Sequence, residues 1–126
     1  MSMSQMVLPA DADILDTAWH SICTLNDVIP GTGVAARVQG KQIAIFHTAE
    51  GVFAVGNRDP FSGANVLARG LLGDVAGSLV VASPVYKQRF CLQTGRCVEE
   101  PDVQVPVYPV HVCPQTRHVY VRQSAP

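Results

Sequence analysis

The sequence predicts an all-β fold, a small sandwich or barrel, on three observations. Short strand-like runs recur at roughly ten-residue spacing, turn residues separate them, and almost no stretch shows a helical period. The chain has 126 residues, of which 48% are hydrophobic and 15% are charged, a balance typical of a single globular domain. Residues 1–16 are predicted to form a loosely ordered arm. Residues 17–123 are predicted to form the domain.

The first half of the domain reads as strands joined by tight turns. Residues 19–25 alternate in polarity and predict the first strand, and Pro30-Gly31 marks the turn that follows it. Residues 34–38 resume strand character. Residues 42–48 and 52–55 predict a hairpin around Ala49-Glu50-Gly51.

The second half contains a long irregular segment and several shorter strands. Residues 57–73 predict a loop with one helical turn over residues 64–69, and loops of this length are usually functional or form interfaces. The other expected strands cover residues 78–82, 89–93, 97–99, 103–112 and 118–122. The tip of one hairpin is expected at Thr94-Gly95, and prolines within residues 103–112 favour edge strands or bulges.

Composition excludes several classes of protein. The net charge of −1 combines 9 basic and 10 acidic residues without a basic stripe, which argues against nucleic-acid binding. No apolar run approaches the roughly 20 residues that span a bilayer. The acidic start has no apolar core of a secretory signal, so we expect a cytoplasmic protein with reduced cysteines. There is no phosphate-binding loop or dinucleotide fingerprint, so neither NAD nor flavin is expected to bind this chain alone.

The cysteines allow two chemical alternatives. Cys91, Cys97, His111 and Cys113 could in principle form a zinc site, but their spacing lacks the short Cys-x-x-Cys knuckle. A cysteine nucleophile would need a base such as His111 or His118 beside it, and the sequence places none there. Buried thiols that act as small hydrophobic side chains are the favoured interpretation.

A short motif within residues 90–101 resembles that of a known family. Phe90, Thr94, Gly95 and Pro101 fit the pattern F-x-x-x-T-G-x-x-x-x-x-P, which resembles the Rieske-type iron–sulfur domain. A Rieske [2Fe–2S] centre takes one Cys and one His from each of two loops. This resemblance implies a Rieske-like [2Fe-2S] domain fold.

The resemblance also identifies four vestigial ligand positions. The Cys-x-His loop matches Asn57 and Asp59, and the Cys-x-x-His loop matches Ser83 and Tyr86. An amide, a carboxylate, a hydroxyl and a phenol replace the thiolates and imidazoles that a cluster needs. We therefore expect the fold without the cluster, and no cofactor or metal in this chain.

One branch of the family has this character. Residues 59–74, reading DPFSGANVLARGLLGD, followed by SPVYKQRF, are similar to the small subunit of NAD(P)H-dependent assimilatory nitrite reductase. The resemblance implies an accessory subunit without a catalytic centre, which docks on a large subunit. That large subunit carries FAD, sirohaem and an iron–sulfur cluster, and reduces nitrite to ammonium. The alternatives are a Rieske-type ferredoxin and a stand-alone protein-binding module.

Six loop residues are candidates for contact with the partner. Arginine and aromatic side chains dominate the energies of protein interfaces, whereas charged loop residues are most often simply solvated. Phe61 could be an exposed anchor, but a place in the core is slightly favoured. The candidates are Arg58, Asp59, Phe61, Arg69, Tyr86 and Lys87.

Overall fold

A computed structural model of the chain describes residues 19–122 and shows antiparallel strands with two short 3₁₀ turns, Leu25–Asp27 and Leu67–Arg69. No helix within this range has the length and apolar character needed to cross a membrane. The strands are β1 (Trp19–Thr24), β2 (Thr32–Val38), β3 (Lys41–Thr48), β4 (Gly51–Gly56), β5 (Leu71–Val75), β6 (Ser78–Ala82), β7 (Arg89–Cys91), β8 (Val107–Tyr108), β9 (Val110–Val112) and β10 (His118–Arg122).

The strands of the described residues form three sheets. A four-stranded sheet has the order β2-β3-β4-β8, and two three-stranded sheets have the orders β9-β10-β1 and β5-β6-β7. The all-β prediction is confirmed. The expected hairpin is confirmed too, because Thr48 pairs with Gly51 and Phe46 with Phe53 across β3 and β4.

Strand β3 is the centre of the fold because both of its faces are buried. Ala44 and Phe46 point into one core cluster, while Ile43 and Ile45 point into a second. A strand in this position cannot alternate between apolar and polar residues, which explains the unbroken run IAIF. The first cluster also contains Val55, Leu67, Ala68, Val81, Phe90, Leu92, Cys97 and Val105, and the second contains Val38, Ala54, Tyr108, Val119 and Val121.

Two of the strand predictions were wrong. The predicted loop over residues 57–73 ends earlier, because β5 begins at Leu71 and pairs with β6 from Leu71↔Ala82 to Val75↔Ser78. Gly73 and the mostly exposed side chains of β5 hide the alternation that marks a half-buried strand. The predicted strand over residues 97–99 is reduced to a single bridge between Cys97 and Phe90.

The predictions for the valine-rich segment and for the helical turn agree with the structure, whereas the predicted arm lies outside the described residues. Pro109 interrupts the valine-rich segment between β8 and β9, as expected for a residue that cannot donate to a ladder. The 3₁₀ turn Leu67–Arg69 falls within the helical turn expected over residues 64–69. The predicted arm, residues 1–16, lies outside the described residues, so the domain boundaries stay a prediction.

Gly95 closes the hairpin that carries the family ending. Its φ is +78°, in the left-handed region that favours glycine, and its amide donates to the carbonyl of Cys91 over 2.7 Å. A Cβ atom at Gly95 would collide with the carbonyl oxygen of Val105 and lie 2.9 Å from Cγ2 of Val107. Glycine is therefore required here for both conformation and space.

We expect Gly95→Ala to lower the free energy of unfolding by about 3 kcal/mol, since left-handed strain and overpacking add. Gly40→Ala is the matched control. Gly40 also has a positive φ, +82°, but a Cβ there meets open space, so its cost should be about 1 kcal/mol. Urea denaturation of both variants measures the difference. Equal costs would show that the close approach to Val105 is unimportant.

Candidate functional site

The candidate site consists of two loops that correspond to the predicted ligand loops. The first loop, residues 57–66, follows β4, and the second loop, residues 83–88, joins β6 to β7. Strands β4 and β6 belong to different sheets, so contacts between these loops connect the sheets. The loops meet through one buried side-chain pair.

That pair is Asp59 of the first loop and Ser83 of the second, both fully buried. The Ser83 hydroxyl donates to Oδ2 of Asp59 over 2.6 Å. The other carboxylate oxygen, Oδ1, accepts a hydrogen bond from the backbone amide of Phe61 over 2.9 Å. Asp59 therefore uses both oxygens, one to shape its own loop and one to hold its neighbour.

The charge of Asp59 is maintained despite its burial. Burial raises the pKa of the carboxyl group, because the charged form loses its hydration. Hydrogen bonds from the Ser83 hydroxyl, the Phe61 amide and Ser62 oppose this and outweigh it, so the pKa lies below its ordinary value. Asp59 is consequently a carboxylate at neutral pH and a strong acceptor.

Asn57 fixes the other end of the first loop. Its buried side-chain oxygen accepts a hydrogen bond from the backbone amide of Ala68 over 2.7 Å. Its backbone donates to the carbonyl of Gln42 and accepts from the amide of Leu67, both over 3.0 Å. Asn57 thus ties the loop to β3 and to the 3₁₀ turn that precedes β5.

The second loop is a tight turn with an exposed tip. The Ser83 amide donates to the carbonyl of Gln88 over 2.8 Å, and the Lys87 amide donates to the carbonyl of Ser83 over 3.1 Å. Lys87 takes a positive φ of +70°. Tyr86 is exposed at the tip, so it does not join the other three vestigial positions in the interior.

The four vestigial positions do not fit a [2Fe–2S] cluster. None supplies a thiolate or an imidazole, and the buried oxygens of Asn57, Asp59 and Ser83 already take part in hydrogen bonds. Across residues 19–122, no three His, Cys, Asp or Glu side chains converge on a point that would hold a metal ion. The loops are instead joined by hydrogen bonds within the protein.

The cysteines considered as ligands or nucleophiles lie in different surroundings. Cys97 is in the first core cluster, whereas Cys113 follows β9 of another sheet. Burial raises the pKa of the Cys91 thiol, but hydrogen bonds with Thr94 and with the backbone of Gln93 outweigh it and lower the pKa. The ring of His111 packs against Trp19 and Tyr120 of the sheet β9-β10-β1, which does not contain Cys91.

The structure divides the six interface candidates. Arg58, Arg69, Tyr86 and Lys87 are exposed. Asp59 is fully buried, and its carboxylate contacts Ser83 rather than solvent. Its place among the exposed interface candidates is therefore corrected. Phe61 is half-buried against the core, and its ring centroid lies 6.1 Å from that of Phe90, which supports the core alternative.

Two features of the site were missed from sequence. The pairing of Asp59 with Ser83 was missed, although a carboxylate and a hydroxyl at matched positions of two loops are natural hydrogen-bond partners. The exposed Leu71 was also missed, because it was assigned to a loop without regard to the direction of its side chain.

The fold and the two loops define a Rieske-like protein: residues 18–122 match the family of the Rieske-like [2Fe-2S] domain. The match with known proteins is more specific than this class. The chain is 47% identical over 96 residues to the nitrite reductase (NADH) small subunit of Salmonella typhimurium. The matched region covers 75% of this chain and 89% of that protein. The chain belongs to the family of nitrite reductase small subunits.

Solved structures agree with this assignment. The nitrite reductase [NAD(P)H] small subunit from Erwinia carotovora superposes with a TM-score of 0.73 at 38% identity, over 87% of this chain and 85% of that one. The ferredoxin of carbazole 1,9a-dioxygenase from Nocardioides aromaticivorans gives the same TM-score at 26% identity, over 84% of this chain and 98% of that one.

A further relative by sequence is the nitrite reductase [NAD(P)H] large subunit of Klebsiella oxytoca. It is 44% identical over 94 residues, which make up 75% of this chain but 10% of that protein.

We expect Ser83→Ala to lower the free energy of unfolding by about 2 kcal/mol, because it leaves an oxygen of the buried Asp59 carboxylate without its donor. Ser78→Ala, at the exposed other end of β6, is the control and should change stability by less than about 0.5 kcal/mol. Chemical denaturation measures both. A double-mutant cycle with Asp59→Ala isolates the coupling, and additive effects would contradict a direct interaction.

The stabilising effect of Asp59 should depend on pH. Its folded pKa is lowered, so its contribution is complete above the unfolded pKa of about 4 and is lost as pH falls through the folded pKa. The wild type should therefore be more stable than Asp59→Asn at neutral pH, and this advantage should shrink below about pH 4. Denaturation of both proteins over a pH series tests this. An advantage that grows with acidity would contradict the assignment.

Proposed function

We propose that the chain is the accessory small subunit of assimilatory NAD(P)H nitrite reductase in the cytoplasm. It contributes no cluster and no catalytic group. Its role is to dock on the large subunit, which carries the FAD, sirohaem and iron–sulfur cluster and converts nitrite to ammonium. The observation that carries the proposal is the buried hydrogen bond between Ser83 and Asp59, which joins the two loops that the resemblance matches to the ligand loops of a Rieske protein.

The Klebsiella oxytoca relative supports the choice of partner. A protein named as a large subunit there contains a stretch of about this domain's length, at 44% identity. Large-subunit sequence and a domain of this kind therefore occur in a single chain in that organism. Two units found together in one polypeptide are expected to work together when they are separate chains.

The geometry supports a positioning role rather than a chemical one. The two loops are fixed from inside by Asn57, Asp59 and Ser83, so their tips are held in place before any partner arrives. Preorganised loops lose little conformational entropy on binding, which favours affinity. The exposed candidates Arg69, Tyr86 and Lys87 would contact the large subunit and orient it for electron flow from NAD(P)H to sirohaem.

The ferredoxin alternative has less support. The fold is shared with the ferredoxin of carbazole 1,9a-dioxygenase. Electron carriage by such a protein requires a cluster, and neither loop supplies its cysteine or histidine. The shared fold is therefore a common scaffold with a different use.

Affinity purification of the tagged chain from cells grown on nitrite tests the proposal. We expect it to recover a partner with the visible absorption of sirohaem and flavin. Removal of the chain should lower nitrite-dependent NAD(P)H oxidation, and adding the purified chain back should restore it. Capture by the tag alone is the control. Failure to recover such a partner, together with unchanged nitrite reduction, would contradict the proposal.

A further inference from the structure

The exposed large hydrophobic side chains of the described residues gather at one end of the fold. They are Ile29 at 70% exposure, Leu71 at 77%, Val85 at 44% and Tyr86 at 60%. Single exposed apolar residues are ordinary, but a group of them commonly marks an interaction surface. Their common location is the observation that needs explanation.

The location follows from the sheet β5-β6-β7. Leu71 pairs with Ala82, and Ala82 pairs with Arg89, so these residues form one row at one end of the sheet. The second loop, with Val85 and Tyr86, connects the last two residues of this row. Leu71 is therefore beside Ala82, the residue after which the second loop begins.

Ile29 reaches the same end from another sheet. A cleft of about 360 Å³ separates residues 31–33, at the start of β2, from residues 68–72. Ile29 belongs to the turn that borders this cleft, because its carbonyl accepts hydrogen bonds from the amide and hydroxyl of Thr32 over 3.0 and 2.6 Å. Leu71 is on the opposite side of the cleft.

The cleft and the second loop each carry an exposed basic side chain. Arg69 and Lys87 are exposed, and within residues 19–122 the one ion pair joins Arg89 to Glu99 over 2.7 Å. Neither the residues that line the cleft nor the second loop include an acidic side chain. Arg69 and Lys87 therefore lie beside the apolar group without a carboxylate of the described residues within ion-pair distance.

We infer that this end is the docking surface for the nitrite reductase large subunit. We name it the loop-end surface and define it as Ile29, Arg69, Leu71, Val85, Tyr86 and Lys87. Its partner is an apolar patch with an acidic rim on the large subunit, because apolar contact and charge complementarity then coincide. The inference rests on the proposed function and adds that Arg58, on the first loop, is outside this surface.

The chain offers a matched control for the charges. Arg37 and Lys41 are also exposed, and they flank the turn between β2 and β3. Arg37 lies about 17 Å along β2 from Thr32, which is beside the cleft. Reversing this pair changes the net charge of the chain by the same amount as reversing Arg69 and Lys87.

Titration of the purified chain against the purified large subunit, holding its cofactors, measures the dissociation constant. We expect Arg69→Glu with Lys87→Glu to raise Kd by about tenfold or more, since complementary charges become repulsive. Arg37→Glu with Lys41→Glu should raise it by less than about threefold. Leu71→Ser with Tyr86→Ser should also raise Kd by about tenfold, with an unchanged Tm because both side chains are exposed.

The outcomes separate the two proposals. If the wild type binds and the loop-end variants bind equally well, the loop-end surface is wrong and the proposed function stands. Equal weakening by the loop-end and control charge reversals would also overturn the surface, because it would indicate a general electrostatic effect. If the wild-type chain does not bind the large subunit, the proposed function fails, and this inference fails with it.

Discussion

The hydrogen bond from Ser83 to Asp59 is the constraint on which the two loops of the candidate site depend. It joins loops that leave different sheets, and both partners are fully buried. A bond to a buried carboxylate contributes about 1.5–3 kcal/mol, a large fraction of the stability of a small domain. In a Rieske protein the ligands of the cluster likewise connect two loops. Here a carboxylate and a hydroxyl connect the two loops.

Burying the connection leaves the loop tips free for contact with other molecules. The polar groups of Asn57, Asp59 and Ser83 point inward, where each has a partner. A close approach at Gly70 fixes the neighbouring turn, because a Cβ there would lie 2.7 Å from Cγ2 of Val81 and collide with the carbonyl oxygen of Ala82. What remains outside is mainly apolar and basic.

The sequence predicted the parts of this fold that depend on local patterns. The hairpin of β3 and β4, the strand β1 and the turn at Gly95 have strong local signals, namely alternating or apolar runs beside turn residues. Strand β5 was missed because Gly73 and exposed side chains remove its alternation. Its existence is decided by pairing with β6, which is a tertiary interaction.

The site was predictable in position but not in geometry. The order of strands and loops, together with the family ending, indicated both loops, and the absence of cysteine and histidine in them was visible directly. Which side chains turn inward was not, because Asp59 and Arg58 are both charged neighbours in one loop, and burial separates them only in three dimensions. The exposure of Leu71 could not be predicted either, because it depends on the position of this residue at the end of a sheet.

The iron content and visible absorption of the isolated chain test the central claim most directly, that hydrogen bonds stand where a cluster would otherwise be. The chain should be produced with iron–sulfur assembly proteins and also treated with iron and sulfide under anaerobic conditions. We expect a folded, colourless protein with negligible iron by both routes. About two iron atoms per folded chain, with the visible bands of a [2Fe–2S] cluster, would contradict the account.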